Sequence, residues 1–171
     1  MATVNRRQEE AARELAARGG IALGALIGQG LTRSVFEDPT DPTQVIKIVD
    51  AVGSGCGDNL REWQAWIMAQ NTGYEHLRAL MVPCVRYLGK HALVQKRSRA
   101  FPRRDRESAE VRVKVPLFFS DTHSGNFPFY EGQPRIHDYA WNRMQYADKP
   151  DAASLIRLLF DEFGGVYVRH D

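Results

Sequence analysis

Residues 118–140 read FFSDTHSGNFPFYEGQPRIHDYA, and the interpretation of this stretch decides the fold. Phe127-Pro128-Phe129-Tyr130, a Glu131-Gly132-Gln133-Pro134 turn and Arg135-Ile136-His137 form a hairpin, because Gly and Pro between apolar runs punctuate strands. Such a hairpin folds the chain back and brings Asp138 close to Asn126. An Asp and an Asn meeting at a strand end are oxygen ligands suited to a hard divalent cation. Asp121 and His123 stand just upstream of the same turn. Asp, Asn, Ser and Gly are equally ordinary turn formers, so the stretch carries chemistry only if the rest of the chain supplies a partner for it.

The partner lies upstream, in residues 21–50, IALGALIGQGLTRSVFEDPTDPTQVIKIVD. A strand around Leu23 to Ile27 leads into Gly28-Gln29-Gly30, and Ser34-Val35-Phe36 resumes extended chain. Asp38-Pro39 and Asp41-Pro42 then turn it, and Gln44 to Val49 is a β-branched strand. The result is three antiparallel strands with a glycine-rich first turn. Glycines there let backbone N–H groups approach phosphate oxygens, since no Cβ intervenes; a flexible hairpin is the plainer reading. Lys47 is the sharper signal. Period-two alternation puts it on one face with Val45 and Val49, where a charge is costly unless it meets an anion. Either the strand is an edge whose lysine reaches water, or the ammonium binds a phosphate.

Asp58 to Gln70 follows as a helix, with Leu60, Trp63, Trp66 and Ile67 at helical spacing and both tryptophans expected in the core. Glu62, one turn into it, is placed to pair with Lys47; a local Asn59/Glu62 capping box competes for the same carboxylate. Val82 to Leu88 and His91 to Val94 read as two further strands joined at Gly89-Lys90, with Gln95-Lys96-Arg97 as the hinge into a second lobe. Near the N-terminus, residues 5–18 form a helix capped by Asn5 and Gln8 and stopped at Gly19-Gly20. Its apolar face of Ala11, Ala12 and Leu15 is thin, so it packs on the domain edge or frays. Toward the C-terminus, Asp148-Lys149-Pro150-Asp151 opens an apolar helix ending near Phe163, and Tyr167 to Asp171 is a tail.

Composition bounds the function. A chain of 171 residues supports one domain, or two small lobes sharing a cleft. The net charge of +2 does not by itself imply nucleic-acid binding, and none is expected. Residues 96–114 are locally basic, with Lys96, Arg97, Arg99, Arg103, Arg104, Arg106, Arg112 and Lys114 against Asp105, Glu107 and Glu110. That segment is either a solvated face or a dock for an acidic partner. No apolar leader or spanning run is present, and Cys56 and Cys84 have no metal spacing. A cytoplasmic, membrane-free protein is the expectation.

Glycine turn, strand lysine, helix glutamate, hinge, D-x-H-x-x-N, hairpin and a second Asp succeed one another in the order of the protein-kinase-like superfamily. The segments that resemble it are G-x-G-x-x-x-x-V at Gly28 to Val35, V-I-K at Val45 to Lys47, D-T-H-S-G-N at Asp121 to Asn126 and D-Y-A at Asp138 to Ala140. The D-x-H-x-x-N form is similar to aminoglycoside and choline kinases. It is more similar still to the early serine/threonine protein kinases of short-tailed bacteriophages. The resemblance spans residues 23–141.

It implies an α+β, reduced two-lobed kinase-like fold across residues 1–171. An N-terminal helix (1–20) would precede an N-lobe (21–95) of five antiparallel strands and one helix, then a truncated C-lobe (96–171) with a catalytic hairpin. It implies ATP and Mg²⁺ as cofactors, with Gly28, Gly30, Val94 and Gln95 along the nucleotide. Lys47 would hold its phosphates, oriented by Glu62. Asp121 would take the substrate proton, His123 would lie near the γ-phosphate, and Asn126 and Asp138 would hold the metal. The partners implied are host proteins phosphorylated on serine or threonine in the host cytoplasm, with Ser98 and Ser108 open as sites of autophosphorylation and pairing of two copies left open.

The chain also departs from the pattern. Arg33 replaces the third glycine, Phe119-Ser120 stand where protein kinases carry His-Arg, and Tyr139 replaces a phenylalanine. The connection from Val94 to Asp121 is too short for the usual helical pair. Two alternatives therefore stand beside the protein kinase: a pseudokinase that inhibits a host protein through its surface, and a small-molecule phosphotransferase.

Overall fold

A computed structural model describes residues 5–49, 57–99, 111–113, 118–121, 126–142 and 166–168. The chain is mixed α and β and divides into two units, Met1–Trp63 with Pro83–Arg97, and Gln64–Val82 with Ser98–Asp171. Residues 64–82 thus belong with the later chain, so the units are not the contiguous blocks 21–95 and 96–171. The break after Arg97 also corrects the hinge: Gln95 and Lys96 still belong to a strand.

In the first unit β1 (Leu26–Gln29), β2 (Arg33–Glu37), β3 (Gln44–Val49), β4 (Cys84–Tyr87) and β5 (Ala92–Lys96) form one antiparallel sheet. Its order is β1-β2-β3-β5-β4. Lys47 therefore lies in the central strand and not on an edge, which removes the reading in which it simply reaches water. β1 begins three residues later than its apolar run suggests. Residues 24 and 25 still bond to Glu37, but a bulge between Leu26 and Gly28 breaks the regular ladder.

Pairing register separates the two faces of the sheet. Phe36, Ile46, Ile48, Ala92 and Val94 point one way and close a core with Ala12 and Ala16 of α1 (Arg6–Arg18). Residue 94 has the parity of Ile46, its direct partner, and not that of Lys47. The Val94 side chain is consequently a core group, and the expectation that it lines a nucleotide is corrected. α1 does not fray. A helix of this length is marginal alone, but its alanines let it approach the sheet closely, and Arg13 lies over the Phe36 ring at 4.8 Å. Asn5 caps it by accepting from Gln8 N–H at 3.4 Å. The Gln8 side chain does not return the bond; it donates to Gly30 O at 2.9 Å instead.

The turn between β2 and β3 is built by Asp38 and Asp41, each accepting from the N–H and hydroxyl of the threonine two residues on. Burial alone would raise the pKa of Asp38. Bonds from Thr40 and the Asp41 N–H, with the Arg86 guanidinium 3.9 Å away, outweigh it and hold the carboxyl below its usual 3.8. A depressed folded pKa stabilises the protein above the unfolded value and ceases to do so as pH falls through the folded one. Asp38→Asn should therefore lower the melting temperature at neutral pH, and the gap to wild type should close below about pH 4. Melting curves across that range check it; a gap independent of pH would refute it.

The second unit contains α3 (Glu75–Leu80), the hairpin strands β7 (Phe129–Tyr130) and β8 (Gln133–Pro134), and the pair β6 (Val111–Val113) with β9 (Val166–Val168). β9 corrects the expectation of a tail from Tyr167. The hairpin turn is tighter than Glu131 to Pro134: only Glu131 (φ 51°) and Gly132 (φ 75°) are outside the strands. Two successive positive φ values make the two-residue turn whose twist matches a hairpin. Buried Phe118, Phe119, Phe127, Ile136 and Tyr139 form the apolar centre of this unit. The Phe119 ring meets Phe118 and Tyr139 edge-on, and the Tyr139 hydroxyl donates to Val82 O at 2.8 Å.

α2 (Asp58–Met68) starts where its sequence indicates, but it is rotated from expectation. Ala65, Met68 and Ala69 are buried together with Asp58, Asn59 and Glu62, whereas Leu60 and Ile67 are 40% and 46% exposed. Trp63 and Trp66 are half-buried rather than core, and Trp63 stacks on Tyr87 at 6.3 Å. Among the described residues no helix is long and apolar enough to cross a membrane. The apolar stretch 151–163, His123 and Ser108 lie outside the described residues.

Candidate functional site

The face of the sheet opposite α1 carries a charged cluster. Register aligns Gly28, Val35, Lys47 and Leu93 in one row across four strands, so all four occupy one face. Lys47 is only 4% exposed and Glu62 is fully buried. Lys47 Nζ donates to Glu62 Oε1 at 2.6 Å. The capping-box alternative is not made, because Asn59 is spent elsewhere. Its Nδ2 donates to Lys47 O at 3.2 Å, and its Oδ1 accepts from Arg33 Nη1 at 3.3 Å.

Gln95 and Arg33 complete the cluster. Gln95 directly opposes Val45 and so shares the face of Lys47; its Nε2 donates to Glu62 Oε1 at 2.9 Å. Its side chain thus orients the carboxylate rather than lining a nucleotide. Arg33, which the motif comparison treats only as a missing glycine, is 5% exposed and donates to Glu62 Oε2. Its signal was present in the sequence: it stands two residues before Val35, and so on the same face of β2.

The glycine turn between β1 and β2 is held from both flanks. The Gln29 side chain exchanges two bonds with the Asn5 backbone, at 2.8 and 3.0 Å. On the other flank the Thr32 hydroxyl donates to Asp58 at 2.7 Å. Among the described residues nothing requires glycine at 28 or 30. A Cβ at Gly28 would lie no closer than 3.8 Å to Val35, and one at Gly30 would lie 3.7 Å from Arg33 O. Neither residue has a positive φ. An external group approaching the backbone is a reason for glycine that remains once packing and conformation are satisfied.

In the second unit the hairpin does what its sequence implies. His137 N–H donates to Asn126 O at 3.0 Å, placing Asp138 one residue from that junction. Asn126 is buried, and its Nδ2 donates to the main-chain carbonyl of Asp121 at 3.1 Å. That bond directs the Nδ2 end of the amide to the main chain. Asp138 adds a carboxylate, giving two hard oxygen donors of the kind magnesium accepts beside phosphate and water. The donor chemistry of this pair fits magnesium, and the Lys47 face with its bare glycines fits a polyphosphate. His137 Nδ1 also lies 3.2 Å from the Ser98 hydroxyl, while Arg99 and Phe129 exchange backbone bonds that seat this segment on β7. Of the basic segment, Lys96 reaches Thr43 and Arg97 pairs with Glu37 at 3.0 Å.

No protein-family model matches the chain, and no curated protein matches it either.

Proposed function

We propose that this chain transfers the γ-phosphoryl group of ATP to serine or threonine hydroxyls of host proteins in the host cytoplasm, on a reduced two-lobed kinase-like fold. The observation that carries the reading is Lys47, a buried ammonium in the central strand, aligned with a glycine turn and fixed by a helix carboxylate. The five-stranded antiparallel sheet with α2 agrees with the architecture the motif order implies. The hairpin that returns Asp138 to Asn126 supports the same reading from the second unit.

Phosphoryl transfer asks a protein mainly for positioning and charge stabilisation. Lys47 would orient the α- and β-phosphates, and Gly28 and Gly30 would let them approach the backbone of the turn, whose Gly30 N–H itself donates to Arg33 O at 2.8 Å. Asp121 would orient the acceptor hydroxyl and take its proton. Asn126 Oδ1 and Asp138 would hold magnesium, which when bound neutralises charge on the phosphate oxygens. The role of His123 near the γ-phosphate rests on the resemblance alone.

Incubation with γ-labelled ATP, Mg²⁺ and a bacterial lysate should label serine and threonine in lysate proteins, and EDTA should abolish the label. ATP turnover stimulated by a small hydroxylated compound, with no protein labelled, would favour a small-molecule phosphotransferase. No turnover of any kind by the folded protein would refute phosphoryl transfer and leave a pseudokinase.

A further inference from the structure

Glu62 is held by more than one cation. Its Oε1 accepts from Lys47 at 2.6 Å and Gln95 at 2.9 Å, and its Oε2 accepts from Arg33. All four side chains are buried. The cations arrive from neighbouring strands: Val35 opposes Lys47, and Arg33 sits two residues before Val35 on the same face. Asn59 steadies the arginine, and the adjacent Thr32–Asp58 bond ties the end of the glycine turn to the first turn of α2.

A fully buried carboxylate has to stay neutralised. If Lys47 were its sole cation, drawing the ammonium toward a phosphate would strip Glu62 of its counter-charge, and the lysine would stay where it is. Arg33 removes that conflict. Its guanidinium keeps its proton and offers a rigid fork of donors, and Gln95 continues to donate to Oε1 when Nζ turns away. We propose that Arg33 is a positioning residue that neutralises Glu62, so that Lys47 is released to an anionic ligand. On the phosphoryl-transfer reading, on which this ligand rests, the anion is the phosphate chain of a nucleoside triphosphate.

Two measurements test this, and the first needs no ligand. Unfolding midpoints are compared for Arg33→Met, Lys47→Met and the double variant. Because either cation suffices, the double variant should lose more than the two singles together. A double variant that does not fold, from singles that do, is the same result. Additive losses would overturn the proposal.

The second measurement is equilibrium binding of MgATP. Arg33→Met should weaken it at least tenfold and Arg33→Lys should restore most of the loss. In turnover, KM should rise with kcat nearly unchanged, since a hold on the α- and β-phosphates is common to ground and transition states. Arg33→Met with a lowered midpoint but wild-type MgATP affinity would make Arg33 merely structural. A wild type that binds no MgATP would refute the release step and the phosphoryl-transfer reading, whereas a coupled stability cycle would still establish that Arg33 shares in neutralising Glu62.

Discussion

Glu62→Ala is expected to destabilise the protein by about 3–5 kcal/mol, the range for removing one partner of a buried ion pair. The substitution deletes the carboxylate shared by Arg33 and Lys47, which are themselves 5% and 4% exposed. Both cations would keep their desolvation cost after losing this compensation. Gln95 would lose its acceptor as well. Against a total stability of about 5–15 kcal/mol for a domain, such a loss leaves a protein that is marginal at best. Lys47→Met should cost distinctly less, because Arg33 still neutralises the carboxylate and a methionine packs beside Val45 and Val49. Urea unfolding followed by tryptophan fluorescence, to which Trp63 stacked on Tyr87 contributes, measures both. A Glu62→Ala protein within about 1 kcal/mol of wild type would show that the cluster does not hold α2 to the sheet.

Much of this architecture was legible because local and tertiary preferences agree. The strand Gln44–Val49 carries β-branched Val45, Ile46, Ile48 and Val49, and its observed bounds are those read from the sequence. The hairpin was legible from Gly132, which its positive φ requires. Where reading failed, a tertiary partner had outbid a local one. Asn59 and Glu62 have capping-box spacing, yet Arg33 and the Lys47 carbonyl take Asn59, and two cations take Glu62. The rotation of α2 has the same cause. Its buried face holds Asp58, Asn59 and Glu62, which a count of apolar residues assigns to solvent, and so the tryptophans expected in the core are only half-buried.

Other misses follow from length and separation. α3 has six residues and no side-chain cap, too short for a periodic signal. β6 and β9 pair across more than fifty residues, and the β-forming run Val166-Tyr167-Val168 is only three residues long, too short to announce a strand by alternation. Val94 is different, since strand parity from Lys47 through its partner Leu93 would have put it on the α1 face. Arg33 could have been found in the same way, from Val35.

Asp121→Asn should reduce phosphoryl transfer by about 10²–10⁴-fold, the usual worth of a positioned proton acceptor. Asn126 Nδ2 donates to the main-chain carbonyl of Asp121, a bond the isosteric amide preserves. Asparagine can still accept a hydrogen bond from an acceptor hydroxyl, but it cannot take the proton as the new P–O bond forms. Binding of MgATP should change by less than about twofold, since the substitution acts on the acceptor hydroxyl and not on the phosphate grip. Transfer and binding together separate the remaining hypotheses. Loss of labelling with retained MgATP affinity places Asp121 at the reacting hydroxyl. Equal labelling by Asp121→Asn would remove it from the chemistry, and with it the assignment of D-T-H-S-G-N as a catalytic loop. A cellular effect that survives both Asp121→Asn and Lys47→Met in folded protein would instead locate the activity on the surface, as a pseudokinase requires.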